Sequence, residues 1–193
     1  MYPFDAGQWL HQPQDGRADN DFIRIVTEPE TDLWQNTYYG FVHTNAPAYV
    51  FPASEDFTFT VKASFSYREL FDQCGILLYI DDQHWAKVSI ERENESRGWL
   101  GSVVTNAGYS DWATVSLDGA RTSMHYRLSR RGADFCFEQS VDGIRFNQMR
   151  IFHMRDCPER LLTGVYACSP TQSSFTAEFS NLMWEECRWV PHT

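Results

Sequence analysis

The chain has 193 residues, long enough for one domain with a substantial core, and 16% of them are aromatic, the large side chains that fill sheets and line grooves. Its formal net charge of -10 argues against a nucleic-acid partner, because phosphate contacts need clustered Lys and Arg. No window approaches the roughly 18 apolar residues of a membrane helix, and the start has neither the basic region nor the apolar stretch of a signal peptide, so a cytoplasmic, reducing home is expected.

Residues 22–27 (Phe-Ile-Arg-Ile-Val-Thr) are the first convincing strand, whereas residues 31–36 (Thr-Asp-Leu-Trp-Gln-Asn) are more loop-like. Short strands resume at residues 40–44 and 48–51. The strictest alternation in the chain covers residues 57–65: Phe57, Phe59, Val61, Ala63 and Phe65 share one face, with Thr58, Thr60, Lys62 and Ser64 on the other. That pattern predicts a half-exposed antiparallel strand.

Residues 72–91 form the central stretch. From Cys74 to Ile80 the residues are apolar almost throughout, as in a strand covered on both faces. After a polar turn at Asp81, Asp82 and Gln83, alternation returns: Ala86, Val88 and Ile90 on one face, Trp85, Lys87, Ser89 and Glu91 on the other. Strands then follow over residues 99–106, 109–117, 125–131, 134–141, 144–152, 161–168 and 175–184. Ala107-Gly108, Asp118-Gly119, Gly132 and Asp142-Gly143 supply the turns.

About a dozen strands with no helical period and no linker predict a single all-β domain over residues 1–193. Long twisted strands must bury one face against a partner sheet, which favours a two-sheet antiparallel jelly roll. Five cysteines match no zinc or redox spacing, and Cys74, Cys136 and Cys168 fall inside apolar runs where a thiol behaves as a small hydrophobe. Asn94-Glu95-Ser96 matches a glycosylation acceptor, read as coincidence in a chain without a leader.

Several motifs occur together and in order: Thr31-Asp-Leu-Trp34, Asp72-Gln73-Cys-Gly75, Asp82 with Trp85 and Lys87, Ile90-Glu91, Ser102-Val-Val-Thr105, Ser110-Asp-Trp112, Arg127 with Arg130, Ser140-Val-Asp-Gly143 and Ala167-Cys-Ser-Pro170. With this set the chain resembles the DUF1349 family. The resemblance implies a concanavalin A-like lectin/glucanase jelly roll, in a family that includes a fungal cytosolic protein linked to enolase regulation. Cys74 stands where Ala is commoner and Leu33 where an aromatic is usual. The resemblance carries no catalytic residues.

Three candidate sites follow. The first is a ligand-binding concave face built from Trp85, Lys87, Glu91 and Trp112, with Gln73 and Asp111 as polar ends. Aromatic faces stack on sugar C–H surfaces while charged and amide groups orient hydroxyls; the competing reading is packing plus a cross-strand ion pair. Trp112 and Asp111 fall on opposite faces of their strand.

The second candidate is the acidic ladder Glu91, Glu93 and Glu95. Adjacent same-face carboxylates can reach the roughly 5–5.5 Å separation of a retaining glycosidase, but the polar run from Glu93 to Gly98 reads as a solvated hairpin end.

The third is metal at Asp81, Asp82, Asp118 or Asp142, where turn residues capping their own backbone are the simpler reading, and where His84 has no paired histidine. The expectation is therefore non-catalytic binding of a carbohydrate or related small polar ligand, without metal or cofactor. A protein-interaction role in regulating a metabolic enzyme is one alternative, and a glycoside hydrolase another.

Overall fold

A computed structural model describes residues 6–19 and 21–191. In chain order the strands are β1 (Gln8–Leu10), β2 (Gly16–Asp19), β3 (Phe22–Val26), β4 (Leu33–Gln35), β5 (Val42–Thr44), β6 (Ala48–Ala53), β7 (Thr58–Phe65) and β8 (Gln73–Asp81). They continue with β9 (His84–Arg92), β10 (Arg97–Asn106), β11 (Tyr109–Asp118), β12 (Ser123–Arg131), β13 (Asp134–Ser140), β14 (Asn147–His153), β15 (Leu161–Cys168) and β16 (Thr176–Glu185). One seven-stranded sheet has the order β1-β6-β15-β8-β9-β10-β11 and the other β14-β13-β12-β7-β16-β3-β2, while β4 and β5 form a separate ribbon. The paired strands of both sheets are antiparallel, the two-sheet jelly-roll sandwich expected from the alternation.

The main core lies between the sheets. Phe59, Val61, Ala63 and Phe65 of β7 meet Cys74, Ile76 and Leu78 of β8 and Ala86, Val88 and Ile90 of β9, all buried. Removing the Phe, Val, Ile and Leu side chains among them from water contributes about 1.5–3 kcal/mol each. The other face of β7 is less exposed than the alternation predicts: Thr58 and Thr60 are buried too. The Thr58 hydroxyl pairs with that of Ser129 at 2.9 Å and accepts the Arg188 N–H at 2.8 Å, so the segment after β16 covers it.

A second core sits on the outer face of the first sheet. Leu77 of β8, Trp85 of β9, Val103 of β10 and Tyr166 and Cys168 of β15 pack beneath Leu33 and Trp34 of β4. This is why β8 is apolar on both faces. Three features escaped the sequence reading. β1 and β2 are only three and four residues long, and β4 lies in the run read as a loop, because so few residues cannot show a period.

The β4–β5 ribbon is tied down at the ends of two hairpins of the sheet. Gln35 N–H donates to Ser110 Oγ at 2.9 Å, Gln35 Nε2 to the Asp82 carbonyl at 2.8 Å, and Asn36 Nδ2 to the Gly108 carbonyl at 2.7 Å. Ala107 and Gly108 both have positive φ, 51° and 76°, the geometry of the tight turn that joins β10 to β11. The turn residues of this sheet thus double as anchor points for its cover.

Candidate functional site

Between the ribbon and the outer face of the first sheet lies a cleft of about 330 Å³. Its floor follows from strand register. Glu91 of β9 stands between Gln73 of β8 and Trp99 of β10. Lys87, two pairs along on the same face, stands beside Val103, which in turn faces Trp112 of β11. The far wall comes from the ribbon and its approach: Glu30, Asp32, Trp34, Tyr39, Phe41 and His43. Phe71, Pro170 and Thr171 complete the rim.

The walls are aromatic and mutually braced. Trp34 meets Trp112 edge-on at 6.4 Å, Trp112 meets Trp99 edge-on at 6.2 Å, and Trp99 stacks on Phe71 at 5.8 Å. Tyr39 packs edge-on against Trp34 at 5.5 Å and stacks on Phe41 at 5.4 Å. Phe71 has φ 68°, a left-handed conformation that is costly for a bulky residue and that concentrates at functional sites. It is held by its N–H to the Arg92 carbonyl at 2.8 Å, while the neighbouring Asp72 Oδ2 accepts the N–H groups of Arg68 and Glu69.

The floor is charged. Lys87 Nζ lies 2.9 Å from Asp32 Oδ1, with the lysine side chain 3% exposed. Burial alone would lower the ammonium's pKa, but Asp32, Cys168 and Glu91 together hold it above the ordinary lysine value. The ammonium also sits 5.7 Å from the Tyr166 ring and 5.9 Å from the Trp85 ring. Glu91 is 5% exposed, and burial pushes its carboxyl up to about 7; Asp32 adds to the rise, while Lys87 and the Trp112 indole oppose it. The buried Trp112 Nε1 has no partner of hydrogen-bond geometry.

The six residues singled out from sequence fare differently. Lys87, Glu91, Gln73 and Trp112 come together in the cleft. Gln73 is already engaged: its Nε2 donates to the Phe71 carbonyl and its Oε1 accepts the Tyr166 hydroxyl at 3.0 Å, so it acts as a brace for the rim. Trp85 shares the face of Lys87 but is fully buried in the second core, under β4. Asp111 points away from Trp112 and takes the Arg150 guanidinium at 2.6 Å. Of the acidic ladder, Glu91 alone enters the cleft; Glu93 and Glu95 lie in the hairpin beyond β9, where Glu93 is 3.8 Å from Arg97.

Asp81 and Asp142 cap backbone, whereas Asp82 accepts the Tyr79 hydroxyl and Asp118 lies 3.5 Å from Arg97. Asp81 Oδ1 accepts the Gln83 N–H, and Asp142 Oδ1 accepts those of Ile144 and Arg145 at 2.8 and 2.9 Å. Among the described residues no three or more His, Cys, Asp or Glu side chains form a group that could hold a metal ion. Sequence reasoning missed Asp32, Trp34, Tyr39, Phe41, His43 and Phe71. The signal available was the Thr31-Asp-Leu-Trp34 motif, noted for its resemblance but left unconnected to the strand it covers.

No helix of the described residues is long and apolar enough to cross a membrane. Residues 9–187 match the family described as "Protein of unknown function (DUF1349)", and the chain belongs to that family. A Saccharomyces cerevisiae relative, "Regulation of enolase protein 1", is 30% identical over 174 residues, covering 90% of this chain and 86% of its own length. A solved structure of a functionally unknown protein from the same yeast superposes with a TM-score of 0.88 at 28% identity, covering 95% of this chain and 98% of that one. The GH43 protein BlXynB of Bacillus licheniformis shares the fold over 94% of this chain and 37% of its own, with a TM-score of 0.71 at 15% identity.

Proposed function

We propose that this DUF1349 protein, as one β-sandwich domain over residues 1–193, binds a carbohydrate or related small polar ligand in the cleft between the first sheet and the β4–β5 ribbon, without catalysis. The observation that carries the reading is the pairing of aromatic walls with a buried polar floor. Trp34, Phe71 and Trp112 offer flat apolar surface for a ring, and Glu91 offers a group whose hydrogen-bonding capacity is not used up. A volume of about 330 Å³ lies at the small end of ligand sites, the size for one or two rings. Five free cysteines support a reducing, cytoplasmic location as part of this reading.

A glycan array followed by titration of the intact protein tests the proposal. Specific binding that weakens at least tenfold in Trp112→Ala is the expected result. Absence of binding to any glycan or sugar phosphate, or an affinity untouched by that substitution, would overturn it.

A second reading, docking to a metabolic enzyme, draws on the name of the yeast relative and on one surface feature. At the ribbon tip Tyr38 is 93% exposed, with Tyr39, Phe41 and Val42 also well exposed, a run of apolar surface at the cleft mouth. Co-purification of enolase with the wild-type protein and its loss in Tyr38→Asp would favour that reading.

A further inference from the structure

The cleft holds more negative charge than it neutralises. Glu30, Asp32 and Glu91 line it against one buried cation, Lys87, and Asp32 already occupies that cation at 2.9 Å. Glu91 is only 5% exposed, its carboxylate has the Trp112 indole as its neighbouring donor, short of full hydrogen-bond geometry, and Lys87 is spent on Asp32 instead. Buried carboxylates are ordinarily paired or hydrogen-bonded, since an isolated buried charge is costly. The Trp112 indole N–H, for its part, has no partner of full hydrogen-bond geometry. Around this carboxyl the walls are π faces, which attract cations as well as sugar C–H surfaces.

We infer that the ligand carries an ammonium group seated against Glu91, so that its class is an amino sugar. The inference rests on the reading that the cleft takes a sugar ring and adds the charge. A neutral sugar hydroxyl supplies Glu91 with a donor but no charge. An ammonium supplies both, and charge-assisted hydrogen bonds are roughly twice as strong as neutral ones.

A proton should move with the ligand. In the free protein Glu91 is held up at about 7, first by burial, so below that pH it is largely protonated. A cation beside the carboxyl favours the ionised form, and binding near pH 6 therefore expels a proton. The other charged or titratable groups around Glu91 are Asp32, Lys87, Glu30 and His43 in the cleft. Cys168 and Tyr166 of β15 and Tyr126 of β12 stand behind it, and burial pushes all three well above their ordinary values, so they keep their protons. His43→Gln separates any histidine contribution from that of Glu91.

The test is calorimetric titration of the intact protein at pH 6 with three trisaccharides, of glucosamine, N-acetylglucosamine and glucose, in two buffers of different protonation enthalpy. The glucosamine trimer is expected to bind at least about tenfold more tightly than the other two, the factor that 1.4 kcal/mol provides. It is also expected to release a proton in wild type and in His43→Gln. In Glu91→Gln the preference and the proton release should vanish.

Equal affinity for all three without proton release would overturn the inference and leave the sugar-binding proposal standing. Binding of none would overturn both. Tight binding of a Gly-Lys-Gly peptide with the same proton release would reassign the pocket to a basic protein side chain and overturn the amino-sugar class. The three-ligand comparison uses unaltered protein, so it decides the matter even if Glu91→Gln does not fold.

Discussion

Lys87 and Asp32, 55 residues apart in the chain, meet at 2.9 Å beneath the cleft and join the first sheet to the ribbon that covers it. The two partners are unequally buried, 3% and 16% exposed at the side chain. Removing the acid leaves a buried cation unpaired; removing the lysine leaves an acid that water still reaches. Asp32→Asn is therefore expected to cost about 3 kcal/mol or more, and Lys87→Met about 1–2 kcal/mol. Urea denaturation of the two variants measures the asymmetry, and equal losses would contradict it.

Glu91 makes stability depend on pH in an unusual direction. Its carboxyl is at about 7 in the folded protein against an ordinary 4.5, so between those values the native state holds a proton that the unfolded chain has lost. Its contribution to stability is full below pH 4.5, falls as pH rises through that window and levels off above 7. The shift corresponds to about 3 kcal/mol at most. Subtracting the stability of Glu91→Gln from that of wild type at each pH isolates this term. A difference that stays flat from pH 4.5 to 7 would show that Glu91 titrates normally.

The two tryptophans named together from sequence should separate cleanly by experiment. Trp85→Ala opens a cavity in the second core and is expected to cost about 3–5 kcal/mol, with ligand affinity of the remaining folded protein retained. Trp112→Ala removes a cleft wall and should affect affinity more than folding. Thermal denaturation paired with ligand titration distinguishes them, and the assignment fails if the pattern is reversed.

Gly101 sits on the cleft face of β10, where a methyl group would come within 2.9 Å of Thr114 Cγ2, 3.1 Å of the Ala113 carbonyl and 3.3 Å of Trp112 Nε1. Gly101→Ala must displace the Trp112 ring or the β11 edge. The expected outcome is a loss of about 1–2 kcal/mol, a changed tryptophan fluorescence spectrum and weaker ligand binding. An unchanged spectrum with full binding would mean that the edge strand moves instead.

Sequence showed the frame clearly and the site only in part, for a physical reason. The alternation over β7 and β9 records which side chains enter the main core, because burial between two sheets selects one residue in two. Lys87 and Glu91 were legible by the same rule, since a cation and an acid on a regular strand face mark a face that is not core. Trp85 obeys the same alternation yet is buried, because a second cover exists and period alone cannot say what lies over a face. That cover depends on side-chain bonds such as Gln35 to Ser110 and Asn36 to Gly108, between positions 75 and 72 residues apart, which leave no local pattern. Alternation already sets Asp111 and Trp112 on opposite faces of their strand, and the structure gives Asp111 to Arg150.

The cleft wall contributed by the ribbon comes from one short run, from Glu30 to His43, while the sandwich is assembled from pairings spread over the rest of the chain. The ribbon's share of the cleft wall and the ladders of the sandwich are thus written in separable passages of the sequence. Mutation can redraw the wall at Tyr39, Phe41 or His43 without disturbing any ladder of the two sheets. Relatives that keep this frame are free to diverge along this wall, so likeness of fold does not carry likeness of site.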